Sequence, residues 1–371
     1  MEHKNSIIGG VCLANPLIDP ERVKSLSSIE EIISIMPLLL FDIDKYYTVG
    51  QGDDYEPYQR THGTLENVKW GQMKLLMVEV DFLCRYWDPL LVPSPQVVYI
   101  GAAPGTHIGI LADLFPMITF HLYDLGQKYD FILQKKTNVT LNKEFLPEKW
   151  ANRNDVYLIS DIRNLTYKRH ENITKAEEMQ NEKAVWADMT LQQDWVLKVK
   201  PVKAHLKFRL PYSYDFVKKE GPTRPYLDGI VYRQPWAPAT STECRLVPYD
   251  NYPMRDWDYQ HQESIMFFHN MRIRSKYRFY NPVTRSNDPF PPETGLGNDF
   301  DSTLTIIIVM AYMTKFRINI TKESVVKMFN IFNKGALNGR TNLEKKRFNI
   351  KQGIVDEEGE DADDEDVPRK K

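Results

Sequence analysis

The chain has 371 residues, of which 42% are hydrophobic and 26% are charged. These proportions are typical of a globular protein and exclude a collagen-like or wholly disordered chain. Three widely spaced cysteines exclude a disulfide scaffold and a CxxC zinc ribbon. The apolar runs are too short for a membrane-spanning helix, and the N-terminus lacks the apolar core of a signal peptide, so we expect a cytosolic protein without a membrane partner.

The charge is distributed unevenly along the chain. Residues 356–366 hold nine acids and no base, whereas residues 1–355 hold 45 bases and 41 acids. We therefore expect a mildly basic body followed by an acidic tail, which stays disordered because its like charges repel one another. The tail is either a solvated solubility segment or a partner-binding or RNA-mimicking segment.

The first hundred residues contain two helical patterns. Residues 20–36 are amphipathic, and residues 68–87 repeat large apolar side chains every three or four positions. The polar, glycine-containing segment 42–66 between them predicts a loop.

From residue 96 onward, short β-rich runs alternate with spacers long enough for helices, which predicts an α/β fold with a parallel sheet. We predict strands at 96–101, 118–124, 138–142, 155–161, 204–211, 229–234 and 242–249, and helices at 173–199, 302–315 and 321–333. No linker interrupts this region. We therefore predict an N-terminal extension 1–50, one domain 51–335, and a C-terminal extension 336–371 that carries the acidic tail.

The most informative segment is 97–109, where a buried strand runs into Gly101-Ala-Ala-Pro-Gly105 and then into a helix. Gly101 permits a tight turn, and Gly105 lets a ligand approach the backbone. Ligands of open α/β sheets bind at the carboxyl ends of strands, where the strand order reverses. The spacing is not GxGxxG, which disfavours a dinucleotide.

Two acids follow later predicted strands. Asp124 can accept hydrogen bonds from both hydroxyls of a ribose, and Asp161 ends the strand LISD. A plain strand-to-helix turn is the alternative for the glycine loop taken alone. The loop and the two acids together favour a nucleoside-containing cofactor.

The motifs VVYIGAAPGTHI, LISDIR, LKFRLP and QPWAPATSTECRL occur in this order. Together they resemble the poxvirus cap-specific mRNA (nucleoside-2′-O-)-methyltransferase family, whose members also serve as the small processivity subunit of poly(A) polymerase. The resemblance covers about residues 52–335. It implies a Rossmann-like class I S-adenosylmethionine-dependent methyltransferase fold with a mainly parallel sheet flanked by helices. It also implies methylation of the 2′-hydroxyl of the first transcribed nucleotide of 7-methylguanosine-capped mRNA.

The resemblance assigns roles to individual residues. The catalytic Lys-Asp-Lys-Glu set of the family corresponds to Lys74, Asp161, Lys207 and Glu243. Gln127 stands where the family pattern has an arginine. The site for S-adenosylmethionine, and for its product S-adenosylhomocysteine, corresponds to Gln72, Tyr99, Gly101, Pro104, Gly105, His107, Asp124, Phe145, Leu146 and Ile162.

The same resemblance implies a site for the cationic base 7-methylguanine, which aromatic faces and carboxylates favour. Tyr55 and Tyr212 correspond to the two stacking rings, and Asp215, or its neighbour Tyr214, and Glu263 correspond to the acids. A third aromatic of the family appears as Thr240. The alternatives are a loop aromatic that covers the core for Tyr55 and a helix-surface acid for Glu263.

Lys207 is the candidate that either accepts the proton of the 2′-hydroxyl or orients that hydroxyl as a cation. Basic residues with interleaved aromatics also suit single-stranded RNA, although a solvated surface is the alternative. Besides Lys207 itself, these residues are Lys198, Lys200, Lys203, Arg209, Lys218, Lys219 and Arg224, followed by Arg272, Arg274, Lys276, Tyr277 and Arg278.

Other functions stay open at this point. One alternative is a catalytically silent, RNA-binding processivity subunit of poly(A) polymerase, and an NAD-dependent oxidoreductase is disfavoured by the loop spacing. The implied partners are capped mRNA and a polymerase catalytic subunit, in the virion or host cytoplasm of a large DNA virus. The eight histidines show no HExxH or paired ligand spacing, so we expect no metal site.

Overall fold

The computed structural model describes residues 7–8, 11–12, 40–58, 70–126, 128–144, 146, 148–164, 174–274 and 276–337, with the backbone alone described at 7–8, 11–12, 40–41 and 334–337. Several predictions lie outside these residues. They are the helix at 20–36, the acidic tail at 356–366, and the positions of Gln127 and Phe145.

Fourteen strands and eight α-helices are described in these ranges. The strands are β1 (Ile7–Ile8), β2 (Val11–Cys12), β3 (Leu40–Phe41), β4 (Thr48–Val49), β5 (Gln96–Ile100), β6 (Thr119–Tyr123), β7 (Val139–Asn142), β8 (Val156–Ser160), β9 (Lys203–Phe208), β10 (Thr223–Leu227), β11 (Gly229–Tyr232), β12 (Cys244–Pro248), β13 (Met254–Asp258) and β14 (Arg278–Phe279). The helices are α1 (Asp44–Tyr47), α2 (Gly71–Tyr86), α3 (Ile108–Leu114), α4 (Lys175–Val199), α5 (Tyr214–Glu220), α6 (Tyr259–Phe268), α7 (Phe300–Lys315) and α8 (Lys322–Leu337).

An eight-stranded sheet forms the centre, in the order β4-β11-β12-β9-β8-β5-β6-β7. The five strands from β9 to β7 are parallel to their neighbours, whereas β12, β11 and β4 continue the sheet in antiparallel pairs. The predicted α/β fold with a mainly parallel sheet flanked by helices is confirmed. A small sheet, β1-β2-β3-β14, and a ribbon of β10 with β13 lie outside it.

Both faces of the central sheet are covered, which explains why its strands appear as continuous apolar runs. All five residues of β8 are buried. One core contains side chains of α2, α3, α7 and α8, and a second contains side chains of α4, α5 and α6. Within the part of the chain that the structure describes, no helix combines the length and apolar character needed to cross a membrane.

The strand order reverses at β5, whose neighbours are β6 on one side and β8 on the other. The chain passes from β5 outward to β6 and β7, and then returns to the other side of β5 as β8. The carboxyl ends of these strands therefore flank the crevice in which α/β sheets bind ligands. The glycine loop follows β5, Asp124 follows β6, and Asp161 follows β8.

The structure corrects the predicted elements in two places. The segment 42–66, predicted as a loop, contains α1 and β4, and β4 pairs with β11. The β10–β13 ribbon and helices α5 and α6 were not predicted. The division at residues 50 and 335 stays a prediction, although Thr48 and Val49 lie in the central sheet and α8 continues to Leu337.

Candidate active site

The four predicted catalytic residues meet at the carboxyl ends of the parallel strands. Lys74 lies in the first turns of α2, Asp161 follows β8, Lys207 lies on β9, and Glu243 precedes β12. Nζ of Lys74 is 3.0 Å from Oε1 of Glu243. Nζ of Lys207 is 3.3 Å from Oδ1 of Asp161 and 3.4 Å from Oε2 of Glu243. Lys207 therefore lies between the two carboxylates.

Two arginines and a glutamine complete this cluster, and the sequence analysis missed them. Arg245 places Nη1 2.7 Å from Asp161 and Nη2 3.2 Å from Glu243. Arg163 lies 3.0 Å from Glu243, and Gln234 donates to the same carboxylate. Each arginine follows a predicted acid by two residues, and side chains two residues apart in extended chain point the same way. That spacing is a signal in the sequence that could have identified them.

The cluster holds four basic side chains, those of Lys74, Lys207, Arg163 and Arg245, against the carboxylates of Asp161 and Glu243. Burial by itself raises the pKa of Asp161, but Lys207 and Arg245 outweigh burial and lower this pKa to about 2. Asp161 is therefore ionised at neutral pH. The surplus of positive charge suits a reaction in which negative charge develops on an oxygen.

The glycine loop after β5 has the conformation that its sequence predicts. Gly101 and Gly105 have φ values of 75° and 71°, which favour glycine. A Cβ at Gly101 would lie 2.8 Å from the backbone of Ile162. Asp124 accepts hydrogen bonds from the backbone nitrogens of Ala103 and Gly126, at 3.3 and 2.9 Å. The loop, the end of β8 and Asp124 are thus in direct proximity.

Three more of the predicted cofactor residues are buried behind this loop. Gln72, Tyr99 and His107 are at most 4% exposed. They form hydrogen bonds with one another or with Glu79, a buried acid of α2 that the sequence analysis did not identify. Pro104 lies within the loop, Ile162 is buried beside it, and Leu146 packs against the second core.

Tyr55 lies on an exposed loop that is held against α6. Tyr55 is 61% exposed, and its ring meets that of His261 edge-on, with 5.2 Å between ring centroids. The next residue, Glu56, forms a bidentate ion pair with Arg272 at 2.9 Å, and Tyr58 packs on Phe267. These contacts hold the loop immediately after Tyr55, while Tyr55 itself stays accessible.

Tyr212 and Glu263 lie around a second ion pair. The guanidinium of Arg209 covers the Tyr212 ring at 4.5 Å and binds Glu182 at 3.0 Å. Burial and the charge of Glu182 raise the pKa of Glu263 to about 7, against the opposing effect of Arg209. Asp215 instead lies in the first turn of α5, 3.5 Å from Lys175.

The structure corrects part of the predicted RNA-binding surface. Arg274 is 1% exposed and binds Asp301 in the core, and Tyr277 is buried against Tyr46. Neither can contact RNA, so this part of the prediction is wrong. Five of the other basic residues form ion pairs with acids, namely Lys198, Lys203, Arg209, Arg224 and Arg272. Exposed basic side chains are those of Lys198, Lys200, Lys218, Lys219, Lys276 and Arg278.

Comparisons with known proteins identify relatives of this chain. Residues 43–333 match the family model described as poly A polymerase regulatory subunit. The chain is 30% identical over 241 residues to the cap-specific mRNA (nucleoside-2′-O-)-methyltransferase of Myxoma virus (strain Lausanne), covering 60% of this chain and 67% of that protein. It is 30% identical over 226 residues to the protein of the same name from Fowlpox virus (strain NVSL), covering 56% and 68%.

Solved structures give weaker similarity. The human methyltransferase 10 domain containing protein is 10% identical, with a TM-score of 0.29, over 63% of this chain and 99% of that chain. PKMT2 from Rickettsia typhi in complex with AdoHcy is 13% identical, with a TM-score of 0.22, over 42% and 28%. TM-scores this low do not establish a common fold.

Proposed function

This chain belongs to the poly A polymerase regulatory subunit family, and we propose that it is a cap-specific mRNA 2′-O-methyltransferase. The observation that carries the proposal is the buried cluster in which Lys207 lies between Asp161 and Glu243. Lys74 and two arginines surround the same carboxylates. The cluster stands at the carboxyl ends of the strands, beside the glycine loop.

The residues present fit S-adenosylmethionine as the methyl donor. Gly101 and Gly105 let the loop turn tightly against Ile162 and Ala102, since a Cβ at either position would collide with their backbone atoms. The carboxylate of Asp124 follows the neighbouring strand, where it can accept hydrogen bonds from ribose hydroxyls. When bound, this cofactor supplies an electrophilic methyl group on a sulfonium, so the leaving group needs no protonation.

The proposed reaction would place the methyl group that the cofactor supplies on the 2′-oxygen of the first transcribed nucleotide. The hydroxyl proton must leave that oxygen. Lys207 either accepts this proton or directs the hydroxyl so that solvent accepts it, and its neighbours stabilise the developing oxygen charge. Asp161 and Glu243 fix the position of Nζ of Lys207, while Arg245 holds both acids in place.

We infer that the capped end of the RNA binds near Tyr55, Tyr212 and Glu263. The methylated guanine is cationic, so aromatic faces and a carboxylate both favour it over unmethylated guanine. Two observations support this assignment. Tyr55 is exposed, and Glu263 lies near the ion pair whose Arg209 covers the Tyr212 ring.

Transfer of labelled methyl groups to short capped RNAs tests the proposal. One RNA carries a free 2′-hydroxyl on the first nucleotide, and the control RNA is already methylated there. We expect label only in the first RNA. Equal labelling of both would show that another atom is the acceptor, and no labelling despite cap binding would contradict the catalytic proposal.

The family name favours a second candidate function, that of an RNA-holding subunit of poly(A) polymerase. One chain can serve in both, because methylation uses the buried cluster and RNA holding uses the surface. We propose a heterodimer with a polymerase catalytic subunit, in the virion or the host cytoplasm. Co-purification of the two chains, and longer poly(A) products when this chain is added, are the expected results.

A further inference from the structure

Glu79 is a buried acid in the middle of α2, and only 1% of it is exposed. Its ion-pair partner among the described residues is His107, the residue that joins the glycine loop to α3. Buried carboxylates are rare unless they are paired or hydrogen-bonded. The contacts of Glu79 lie instead at the strand and the loop of the proposed cofactor site.

Glu79 contacts both strand β5 and the end of the glycine loop. The hydroxyl of Tyr99, on β5, donates to Oε1 of Glu79 at 2.6 Å. Nε2 of His107 lies 3.2 Å from both carboxylate oxygens. On the other edge of the imidazole, Nδ1 lies 3.0 Å from Oε1 of Gln72.

Hydrogen-bond chemistry fixes the orientation of the His107 ring. The backbone N–H of His107 also donates to Oε1 of Gln72, at 3.0 Å. A backbone N–H can only donate, so this atom of Gln72 is the carbonyl oxygen, and Nδ1 must carry a proton. Nε2 faces the carboxylate of Glu79, 3.2 Å from Oε1. Both ring nitrogens are held, and the ring cannot turn without breaking a buried hydrogen bond.

The network joins three parts of the proposed site. Tyr99, on the strand before Gly101, forms a hydrogen bond with Glu79. His107, at the end of the glycine loop, contacts the same carboxylate. Gln72 lies two residues before Lys74 on α2. One carboxylate therefore fixes the distance between the glycine loop and the helical turn that carries Lys74.

We propose that Glu79 is a positioning residue that holds the glycine loop in the conformation that binds S-adenosylmethionine. The proposal rests on the proposed methyltransferase function for the identity of the cofactor. Glu79 acts through Tyr99 and His107 and does not touch the reacting atoms. Its loss is expected to weaken cofactor binding more than it slows methyl transfer at saturating cofactor, and to leave cap binding unchanged.

The test compares Glu79→Ala and Glu79→Gln with Asp81→Ala in the full chain. Asp81 is a matched control because it is a buried acid on the same helix, but it binds Tyr47 and Arg85 instead of the loop. Calorimetric titration with S-adenosylhomocysteine, without RNA, measures cofactor binding. Separate titration with 7-methylguanosine triphosphate measures cap binding, and thermal unfolding measures stability.

We expect Glu79→Ala to weaken S-adenosylhomocysteine binding about tenfold or more, with the KM for S-adenosylmethionine rising in parallel and kcat changing less. Glu79→Gln can donate to Nε2 and accept from Tyr99, so it should recover most of the lost affinity. Asp81→Ala should lower stability without this loss of affinity. If Glu79→Ala does not fold, Tyr99→Phe, which removes one hydrogen bond to Glu79, should show a smaller shift in the same direction.

Equal loss of cofactor affinity in Glu79→Ala and Asp81→Ala would overturn the proposal, because general destabilisation would then explain it. Unchanged cofactor affinity in Glu79→Ala would also overturn it. Failure of the wild-type chain to methylate capped RNA, with S-adenosylhomocysteine still bound, would instead contradict the proposed function. The binding comparison would stand in that case, so the two failures are distinguishable.

Discussion

The buried cluster around Lys207 contrasts with Tyr55, which is 61% exposed. The cluster combines charges of both signs in ion pairs of 2.7–3.4 Å. The Tyr55 loop instead presents an aromatic face that is held in place from behind by Glu56 and Tyr58. Charges that act on a reacting atom benefit from low dielectric and fixed geometry, while a stacking surface must stay open to its ligand.

The largest effect is expected from Lys207→Ala, which should reduce methyl transfer by about 10²–10⁴-fold, the range for a lost acid–base or charge-stabilising group. Cap binding should survive, since Lys207 belongs to the buried cluster. The measurement is labelled methyl transfer with parallel cap titration. Lys203→Ala is the control, because Lys203 lies on the same strand but pairs with Asp250 at the surface. Retained turnover in Lys207→Ala would contradict the assignment.

Arg245→Met should produce the largest loss of stability, up to about 3–5 kcal/mol, because it removes the buried guanidinium that pairs with both Asp161 and Glu243. Arg153→Met removes an exposed pair with Asp155 and should cost less than about 1 kcal/mol. Urea unfolding of the two variants gives the comparison. Equal losses would show that Arg245 does not stabilise the cluster.

Tyr55→Ala should weaken binding of 7-methylguanosine triphosphate by about tenfold, the effect of losing one cation–π contact of roughly 1–2 kcal/mol. Its thermal stability should stay near that of the wild type, because the ring is exposed. Tyr249→Ala, which removes an exposed tyrosine ring outside this loop, is the control. If the two variants lose the same affinity, Tyr55 has no specific role in stacking.

The smallest effect concerns Glu263, whose pKa of about 7 makes it partly protonated at neutral pH. The carboxylate, not the acid, accepts hydrogen bonds from the cap, so affinity should rise as pH increases through 7. With that pKa, about a tenth of the Glu263 side chains are ionised at pH 6 and about nine-tenths at pH 8. The affinity ratio of wild type to Glu263→Gln should therefore increase by up to about tenfold.

The 7-methylguanine base of the cap also titrates in this pH range. Its titration affects the wild type and Glu263→Gln alike, so it cancels in the ratio of their affinities. Calorimetric titration at pH 6, 7 and 8 supplies the three affinities. A ratio that stays constant across this range would show that Glu263 does not contact the cap.

The sequence predicted the parallel part of the sheet well, because strands buried on both faces are continuous apolar runs. It also predicted α2, α4, α7 and α8, whose patterns extend over many turns. It did not predict α5, whose seven residues show too little periodicity, or the β10–β13 ribbon, where Pro225 weakens the strand pattern.

The burial and pairing of charged residues could not be predicted from the local sequence. Arg274 resembles any basic residue of a surface stripe, yet it lies in the core because Asp301 is there to pair with it. Lys74 and Glu243 are 169 residues apart along the chain and 3.0 Å apart in space. Local patterns contain no information about such partners, since pairing depends on which strands the fold makes adjacent.

The sequence by itself determined the alternation of strands and helices, the glycine loop, and the four motifs that carry Lys74, Asp161, Lys207 and Glu243. These features depend on local conformational preference and on the order of residues. Only the tertiary structure decided which carboxylates Arg163 and Arg245 pair with, that Glu79 lies behind the loop, and that Tyr277 is buried. A charged or polar side chain can be buried only where the fold supplies its partner, and that partner comes from a distant part of the chain.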